Sequence, residues 1–266
     1  MASTELPNVK LFWLEKSRSQ RILWLLQELQ LPYELEIFHR DKESMMAPPE
    51  LQKIHPLGKS PVIQIKPAGA KADAEPITLA ESGFITQYLT ENVPEGKKLM
   101  PERWKEGMEG KLGGETEAWM RYQYYMHYCE GTLMPPLVMG LVVGALKSPR
   151  VPFFIRPIST LLANRVFSTF IFPNLKVNLK MIEGHLATSG GSYICGPKLT
   201  SADILVSFPL IAAEPALDNF GTFEGGSWKE EFPKVAAYVE MIQNEPGYKK
   251  SVEKIVEIDG KFKASL

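Results

Sequence analysis

The pattern of apolar residues changes character once along this chain, and that change limits the folds it can adopt. Through residue 91, short β-type runs alternate with helical ones, whereas from residue 104 onward strand patterns nearly vanish. The segment between them, 92–103, is polar and contains two prolines. The 266 residues suffice for two modest domains. We therefore predict a mixed α/β domain over 1–91, a linker over 92–103 and an all-α domain over 104–266.

The predicted α/β domain is one small mixed sheet with helices on both faces. Its elements run in the order βαβ-α-ββα, at 9–14, 18–29, 33–38, 47–53, 61–66, 77–79 and 80–90. Helical patterns of the second domain cover 114–131, 133–146, 158–186, 201–212 and 234–243, and prolines interrupt and separate them.

Composition excludes several classes of function. A net charge of −1 gives no basic field for nucleic acid, so no nucleic-acid partner is expected. Two cysteines, Cys129 and Cys195, cannot build a disulfide framework and suit a reducing compartment. They lie far apart with few histidines nearby, so no metal site is expected. The N-terminal segment 1–10 lacks the features of a signal peptide, and we expect a cytoplasmic protein.

One stretch leaves a second location open. The apolar run 131–146 contains two prolines and three glycines, which favours a buried helix over a membrane span. However, no Asp or Glu occurs over 131–182, whereas six Lys and Arg residues do. A basic and apolar surface of this kind favours peripheral contact with an anionic membrane.

Ser17 lies directly after the first predicted strand, at the expected start of the first helix. With Gln20 three residues later it fits a capping box, which is one interpretation. The other is catalytic, because a hydroxyl beside the free N–H groups of a helix start stabilises a thiolate. Lowering a thiol pKa from ~8.5 by ~2 takes ~2.7 kcal/mol, within reach of one charge-assisted hydrogen bond plus the helix end.

The segment 55–62, HPLGKSPV, places a proline at the opening of a strand. The Ser60-Pro61 bond is a candidate for the cis form, with an ordinary trans turn as the alternative. A cis bond would direct the Ser60 N–H and C=O outward, ready to pair with an extended peptide. The neighbouring Lys59 either contacts a carboxylate or is simply solvated.

Glu81 and Ser82 open the helix that follows the hairpin. The backbone N–H groups and the Ser82 hydroxyl suit an α-carboxylate, and Glu81 suits an α-ammonium group. An acidic first turn without a ligand is the alternative. Together with Ser17 and Ser60, these residues offer partners for a thiol, a peptide backbone and an amino-acid head. Glutathione, γ-Glu-Cys-Gly, carries all three.

Three segments resemble the glutathione site of the glutathione transferase superfamily. They are SRSQR at 17–21, HPLGKSPVI at 55–63 and LAESGFITQYL at 79–89. The amino-acid sequence is most similar to a fungal branch of the superfamily, which includes a yeast enzyme associated with the endoplasmic reticulum. No cysteine occurs at 15–21, which argues against the disulfide-exchanging classes. LTSADI resembles the family's S/T-x-x-D folding motif, in which Thr200 caps a buried helix and Asp203 completes the box.

The resemblance implies a thioredoxin-like N-terminal domain that binds glutathione, and an all-α C-terminal domain that lines the electrophile site. Ser17 would stabilise the sulfur of glutathione for attack on a small hydrophobic electrophile. Glutathione is then a co-substrate, and no cofactor is expected. The residues implied to hold it are Lys59, Ser60, Pro61, Glu81 and Ser82.

The electrophile pocket is expected between the domains, along the helix that follows the linker. Its candidate residues are Tyr122, Tyr125, Tyr128 and Met134. Aromatic residues at helical spacing are also typical of core packing, so both interpretations stand. The resemblance further implies a C2 homodimer.

The chemistry leaves three outcomes open for the enzyme. The thiolate would serve detoxifying conjugation, conjugation within secondary metabolism, or peroxide reduction. The alternative from another class is a glutathione transferase-like module that binds or assembles without catalysis.

Overall fold

The computed structural model describes residues 7–71 and 73–265, which form two compact units. The first unit contains the described residues up to Pro101 together with Gln243–Ala264. The second unit contains Glu102–Ile242. Compared with the predicted domains, the first unit extends through most of the predicted linker, to Pro101, and also includes the C-terminal segment.

The first unit is built on a four-stranded mixed sheet in the order β2-β1-β3-β4. β1 pairs parallel with β2 and antiparallel with β3, and β3 pairs antiparallel with β4. The strands are β1 Asn8–Leu14, β2 Tyr33–Phe38, β3 Val62–Lys66 and β4 Ile77–Ala80. The helices are α1 Ser19–Glu28, α2 Leu51–Ile54 and α3 Ser82–Asn92, followed by a 3-10 turn at Pro94–Leu99. The predicted thioredoxin-like order is confirmed.

The first unit also holds a helix that the sequence patterns missed. Near the C-terminus, α11 (Pro246–Asp259) packs on α1. The Trp24 and Tyr248 rings meet edge to face at 5.5 Å, and Gln20 Nε2 donates to Ser251 Oγ at 2.9 Å. Most of α1 is buried, with Ile22 and Leu25 fully so, because the sheet and this second helix cover it.

The second unit is helical, as predicted. Its helices are α4 Glu117–Tyr128, α5 Met134–Ala145, α6 Arg156–Val166, α7 Phe172–Thr188, α8 Ser201–Ala213, α9 Trp228–Glu231 and α10 Pro233–Asn244. Among the described residues one helix, Glu117–Ala145, has the length and apolar composition to cross a membrane, a test that core helices of soluble proteins also pass.

Two π-helical turns each join two helices. The sequence patterns predicted the first pair as two separate helices, 114–131 and 133–146, and the second pair as one continuous helix within 158–186. Cys129–Leu133 connects α4 to α5, and Phe167–Ile171 connects α6 to α7. Each π turn is followed within two residues by proline, at Pro135 and Pro173. Proline has no N–H for the usual i to i−4 bond, and the wider turn carries the helix past that gap.

The folding motif at the start of α8 is present as expected. Thr200 and Asp203 form a reciprocal capping box. The fully buried carboxylate accepts four hydrogen bonds, from Ile194 N, Tyr238 OH, Thr200 N and Thr200 Oγ1. One side chain therefore fixes a helix start, a preceding loop and α10.

Candidate functional site

Ser17 lies between β1 and α1 and is 8 % exposed. The predicted capping box is wrong, because α1 begins at Ser19 and its N-cap Arg18 makes no side-chain cap. Gln20 is instead drawn into the core, where it accepts from Trp13 Nε1 at 3.1 Å. Ser17 Oγ accepts from the Ser19 N–H at 3.2 Å and donates to Leu14 O at 2.7 Å. The hydroxyl thus sits at the helix start without capping it.

Ser60 lies close to the same place, at the opening of β3. The Ser60-Pro61 bond is cis, the first of the two forms that the sequence left open. Ser60 Oγ donates to Phe12 O at 2.8 Å and lies 2.5 Å from Ser19 Oγ, which in turn lies 2.6 Å from Ser17 Oγ. Ser17 and Ser60, singled out separately in the sequence, are therefore joined through Ser19. Lys59 beside them is exposed.

Glu81 and Ser82 open α3. Glu81 is the N-cap, exposed, with φ 68°, in the region that favours glycine. A non-glycine residue held there costs roughly 1–3 kcal/mol and is typical of functional sites. Ser82 is buried, and its hydroxyl accepts a hydrogen bond from Arg21 Nη2. Because its oxygen accepts from a cation, its proton is left to donate.

Two residues of this region were missed from the sequence. Ser19 is fully buried and Arg21 is 1 % exposed, both in the first turn of α1. Buried polar side chains at the start of an otherwise apolar helix are a signal of a polar site. The sequence shows SRSQR there, but it does not show which of these side chains turn inward.

The predicted pocket tyrosines are buried within the second unit. Tyr122 OH lies 2.9 Å from Ser201 Oγ, Tyr125 OH lies 2.8 Å from His185 Nδ1, and Tyr128 OH donates to Asn178 Oδ1. These contacts are what the core-packing interpretation describes, and Met134 is likewise 3 % exposed. A role in electrophile binding stays a prediction for all four.

Burial keeps both Tyr125 and His185 in their neutral forms. Burial raises the pKa of the Tyr125 hydroxyl, which therefore stays protonated. Burial, aided by the charge of Arg121, lowers the pKa of His185. Both groups are therefore neutral, the tautomer of His185 sets which of them donates, and the pair is a structural link between α4 and α7.

A cleft of about 460 Å³ opens on the second unit. Its lining is mostly aromatic and apolar with a few polar groups, from Met120, Gln123, Tyr124, His127, Tyr128 and Thr132. The Tyr124 and Tyr128 rings stack at 5.2 Å, and Tyr124 is 45 % exposed. Of the predicted pocket residues, Tyr128 lines this cleft. Over the described residues, no group of three His, Cys, Asp or Glu side chains is placed to hold a metal.

Comparison with known families matches both parts of the chain. The model of the glutathione S-transferase N-terminal domain matches residues 17–92, which include Ser17, Ser60 and Ser82. The model of the glutathione S-transferase C-terminal domain matches residues 151–254.

Individual proteins agree. Glutathione S-transferase 1 of Saccharomyces cerevisiae is 33% identical over 258 residues, covering 97% of this chain and 99% of the yeast protein. A glutathione S-transferase from Actinobacillus pleuropneumoniae has a TM-score of 0.63 and 27% identity, covering 92% of each chain. A Pseudomonas fluorescens family member solved with two glutathione bound has a TM-score of 0.61 at 22% identity over 91% of each chain, which shows the fold alone. With both family models and a full-length yeast relative, the chain belongs to the glutathione S-transferase family and is a glutathione transferase of its fungal branch.

Proposed function

We propose that this transferase conjugates glutathione to small hydrophobic electrophiles and that Ser17 donates a hydrogen bond to the reacting sulfur. The observation that carries the proposal is the buried Ser17 hydroxyl at the start of α1, joined through Ser19 to Ser60. A thiolate there meets a charge-assisted donor beside the positive end of a helix.

The rest of the tripeptide is assigned to residues of the same unit. The Ser60 backbone, beside Pro61, pairs with the cysteinyl backbone, and the exposed Lys59 pairs with the glycine carboxylate. Ser82 donates to the γ-glutamyl carboxylate, and the exposed Glu81 receives the α-ammonium group. The glutathione bound in the Pseudomonas fluorescens protein supports glutathione as the co-substrate.

For the electrophile we propose an aromatic compound that stacks on Tyr124. This ring is partly exposed, already stacked on Tyr128, and lines a cleft whose size is typical of small-molecule sites. A ring stacked there would gain ~0.5–1.5 kcal/mol beyond its buried area. Detoxification, biosynthetic conjugation and peroxide reduction all use the same thiolate.

The test is a titration joined to a substrate panel. The ultraviolet absorbance of the thiolate, followed against pH with glutathione saturating, should show the bound thiol ionising ~2 pH units below the free one. The panel contains aromatic halides, aliphatic epoxides and a hydroperoxide. Aromatic halides should react fastest, and Tyr124→Leu should raise their KM about 2- to 10-fold.

Three outcomes would refute parts of the proposal. A bound thiol that ionises at the free value would remove thiolate activation. Equal effects of Tyr124→Leu and of the control Tyr88→Leu, an aromatic of the first unit, would remove Tyr124 from the electrophile site. Glutathione binding without turnover on the whole panel would favour the non-catalytic module.

We also propose a homodimer, as the family resemblance implies, and peripheral residence on an anionic membrane of the endoplasmic reticulum type. Exposed apolar side chains of the acid-free segment 131–182, together called the apolar face here, support the membrane contact. The largest members of this face are Val142, Phe153, Phe154, Ile158, Leu161 and Leu162, each at least 60 % exposed. Lys147, Arg150, Arg156 and Arg165 lie within the same acid-free segment. Such a face offers apolar insertion and ~1 kcal/mol per cation near anionic lipid.

The membrane contact is measured by co-sedimentation with vesicles. Vesicles containing phosphatidylserine should pull down the protein at low salt, and neutral vesicles should do so weakly. Phe153→Ser with Phe154→Ser should abolish the binding, whereas Leu112→Ser, at a fully exposed leucine outside the segment, should not. Recovery entirely in the supernatant at low salt would contradict the membrane contact and favour a cytoplasmic location. Light scattering of the same variants shows whether this face instead joins two copies.

A further inference from the structure

Three serine hydroxyls form a continuous chain between two backbone carbonyls. Ser17 Oγ lies 2.7 Å from Leu14 O and 2.6 Å from Ser19 Oγ. Ser19 Oγ lies 2.5 Å from Ser60 Oγ, which lies 2.8 Å from Phe12 O. Every one of these four oxygen–oxygen contacts has the length of a hydrogen bond.

This chain of serine hydroxyls has fewer protons than hydrogen-bonding contacts. Each serine hydroxyl has one proton, and the two terminal carbonyls can only accept. Three protons therefore serve four contacts, and one contact always lacks a proton. With Ser17 donating to Leu14 O and Ser60 to Phe12 O, the Ser19 proton serves only one of the two serine–serine contacts. If all three protons instead point toward Phe12 O, the contact at Leu14 O lacks a proton, and the reverse orientation leaves the contact at Phe12 O without one. A strong acceptor at one end of this chain of hydroxyls favours the arrangement in which the protons point toward that end.

Backbone donors hold two of these oxygens in place. The Ser19 N–H donates to Ser17 Oγ at 3.2 Å, and the Leu14 N–H donates to Ser19 Oγ at 3.2 Å. Each of these oxygens keeps one further acceptor position. Ser17 can then donate to a ligand and accept from Ser19, with all its hydrogen-bonding positions filled.

A thiolate at Ser17 changes the acceptor at that end, a step that rests on the proposed function. When the Ser17 proton turns to sulfur, the 2.6 Å contact with Ser19 needs a proton that only Ser19 can supply. Ser19 in turn accepts from Ser60. A charge-assisted bond to sulfur is about twice as strong as a neutral one to a carbonyl, so it favours this direction.

We propose that Ser19 is the positioning residue of this transferase. In the glutathione complex its hydroxyl donates to Ser17 Oγ, directs the Ser17 proton at the sulfur and polarises that bond. Ser60 completes the relay by turning its proton from Phe12 O to Ser19. Hydrogen bonds in such a chain strengthen one another by roughly 10–30% each.

The experiment compares Ser19→Ala, Ser60→Ala and the double variant in the full-length protein. Thiolate absorbance at saturating glutathione and the pH profile of kcat/KM for conjugation are measured. Losing one hydrogen bond of ordinary strength should raise the apparent pKa of bound glutathione by about 0.5–1 in Ser19→Ala. Ser60→Ala should raise this pKa less. The double variant should match Ser19→Ala, because the loss of Ser19 already interrupts the chain of serine hydroxyls.

Two control variants distinguish the serine chain from the general loss of a buried hydroxyl. Ser207→Ala removes a buried hydroxyl of the second unit that donates only locally, to Ile204 O at 2.7 Å, and should leave the thiol pKa unchanged. Ser60→Thr keeps a hydroxyl and should restore the pH profile that Ser60→Ala loses. If Ser19→Ala does not fold, the two variants at Ser60 test the same chain.

The outcomes are distinguishable. An unchanged thiol pKa in Ser19→Ala, with a raised one in Ser17→Ala, overturns the relay and leaves the role of Ser17 intact. An unchanged pKa in Ser17→Ala overturns the proposed function of Ser17 itself. Additive effects in the double variant show that Ser60 acts outside the chain.

Discussion

Replacing Asp203 by alanine should lower the free energy of unfolding by about 3–5 kcal/mol, the largest loss we expect from a single truncation. The carboxylate is fully buried, with Ile194 N at 2.9 Å and Tyr238 OH at 2.7 Å on Oδ1. Thr200 N at 2.8 Å and Thr200 Oγ1 at 2.6 Å donate to Oδ2. Burial raises the pKa of Asp203, and these donors oppose that rise. Alanine would leave four donors without their acceptor.

Urea denaturation measures this loss against a matched helix cap. Thr116 caps α4 by accepting from Trp119 N at 3.1 Å, and it lies nearer the surface. Thr116→Ala should cost ~1 kcal/mol, the usual value of a cap. Equal losses for Asp203→Ala and Thr116→Ala would show that Asp203 acts only as a local cap and does not fasten α10 and the preceding loop.

The features predicted best are those that short sequence segments determine. The Thr200–Asp203 box needs only residues three apart, so LTSADI was sufficient to place it. The order of strands and helices along the first unit follows from short apolar runs and alternating patterns. The cis bond at Ser60-Pro61 belongs to one dipeptide.

The features that failed depend on contacts between distant residues. Gln20 looked like half of a capping box, but its side chain meets Ser251, 231 positions away. α11 has an amphipathic pattern with Tyr248, Ser251 and Ile255 on its buried face, but only its packing on α1 shows that this segment belongs to the first unit. Ser19, which contacts Ser17, meets Ser60 at a separation of 41 positions, and no local pattern shows that contact.

Replacing Ser17 by alanine should lower conjugation at pH ~6.5 by roughly 10- to 100-fold. If the bound thiol has a pKa of ~6.5, a full return to ~8.5 would reduce the thiolate about 50-fold at this pH. The part of the shift that comes from the helix end remains in Ser17→Ala and makes the loss smaller. A thiolate of higher pKa is a better nucleophile, which offsets part of this loss. Loss of orientation of the sulfur adds to it. Near pH ~9 both enzymes hold mostly thiolate, so most of the gap should close.

Glutathione affinity should change far less than turnover. With a bound pKa of ~6.5 and a free pKa of ~8.5, the shift contributes only about twofold to binding at pH ~6.5. The rest of the affinity comes from the peptide and γ-glutamyl contacts, assigned to Ser60, Glu81 and Ser82. Calorimetry of Ser17→Ala at that pH should therefore give a dissociation constant within about twofold of the parent.

The pH dependence separates activation of sulfur from a general structural defect. A protein damaged by loss of the Ser17 contacts to Leu14 and Ser19 would lose activity by a similar factor at every pH. A protein that has lost only the hydrogen-bond donor to the thiolate regains activity as the pH rises, because the thiol of bound glutathione then ionises without that donor. Ser207→Ala, measured in parallel, should show the parent profile. A Ser17→Ala profile parallel to that of the parent, with the thiol pKa unmoved, would assign sulfur activation to another donor.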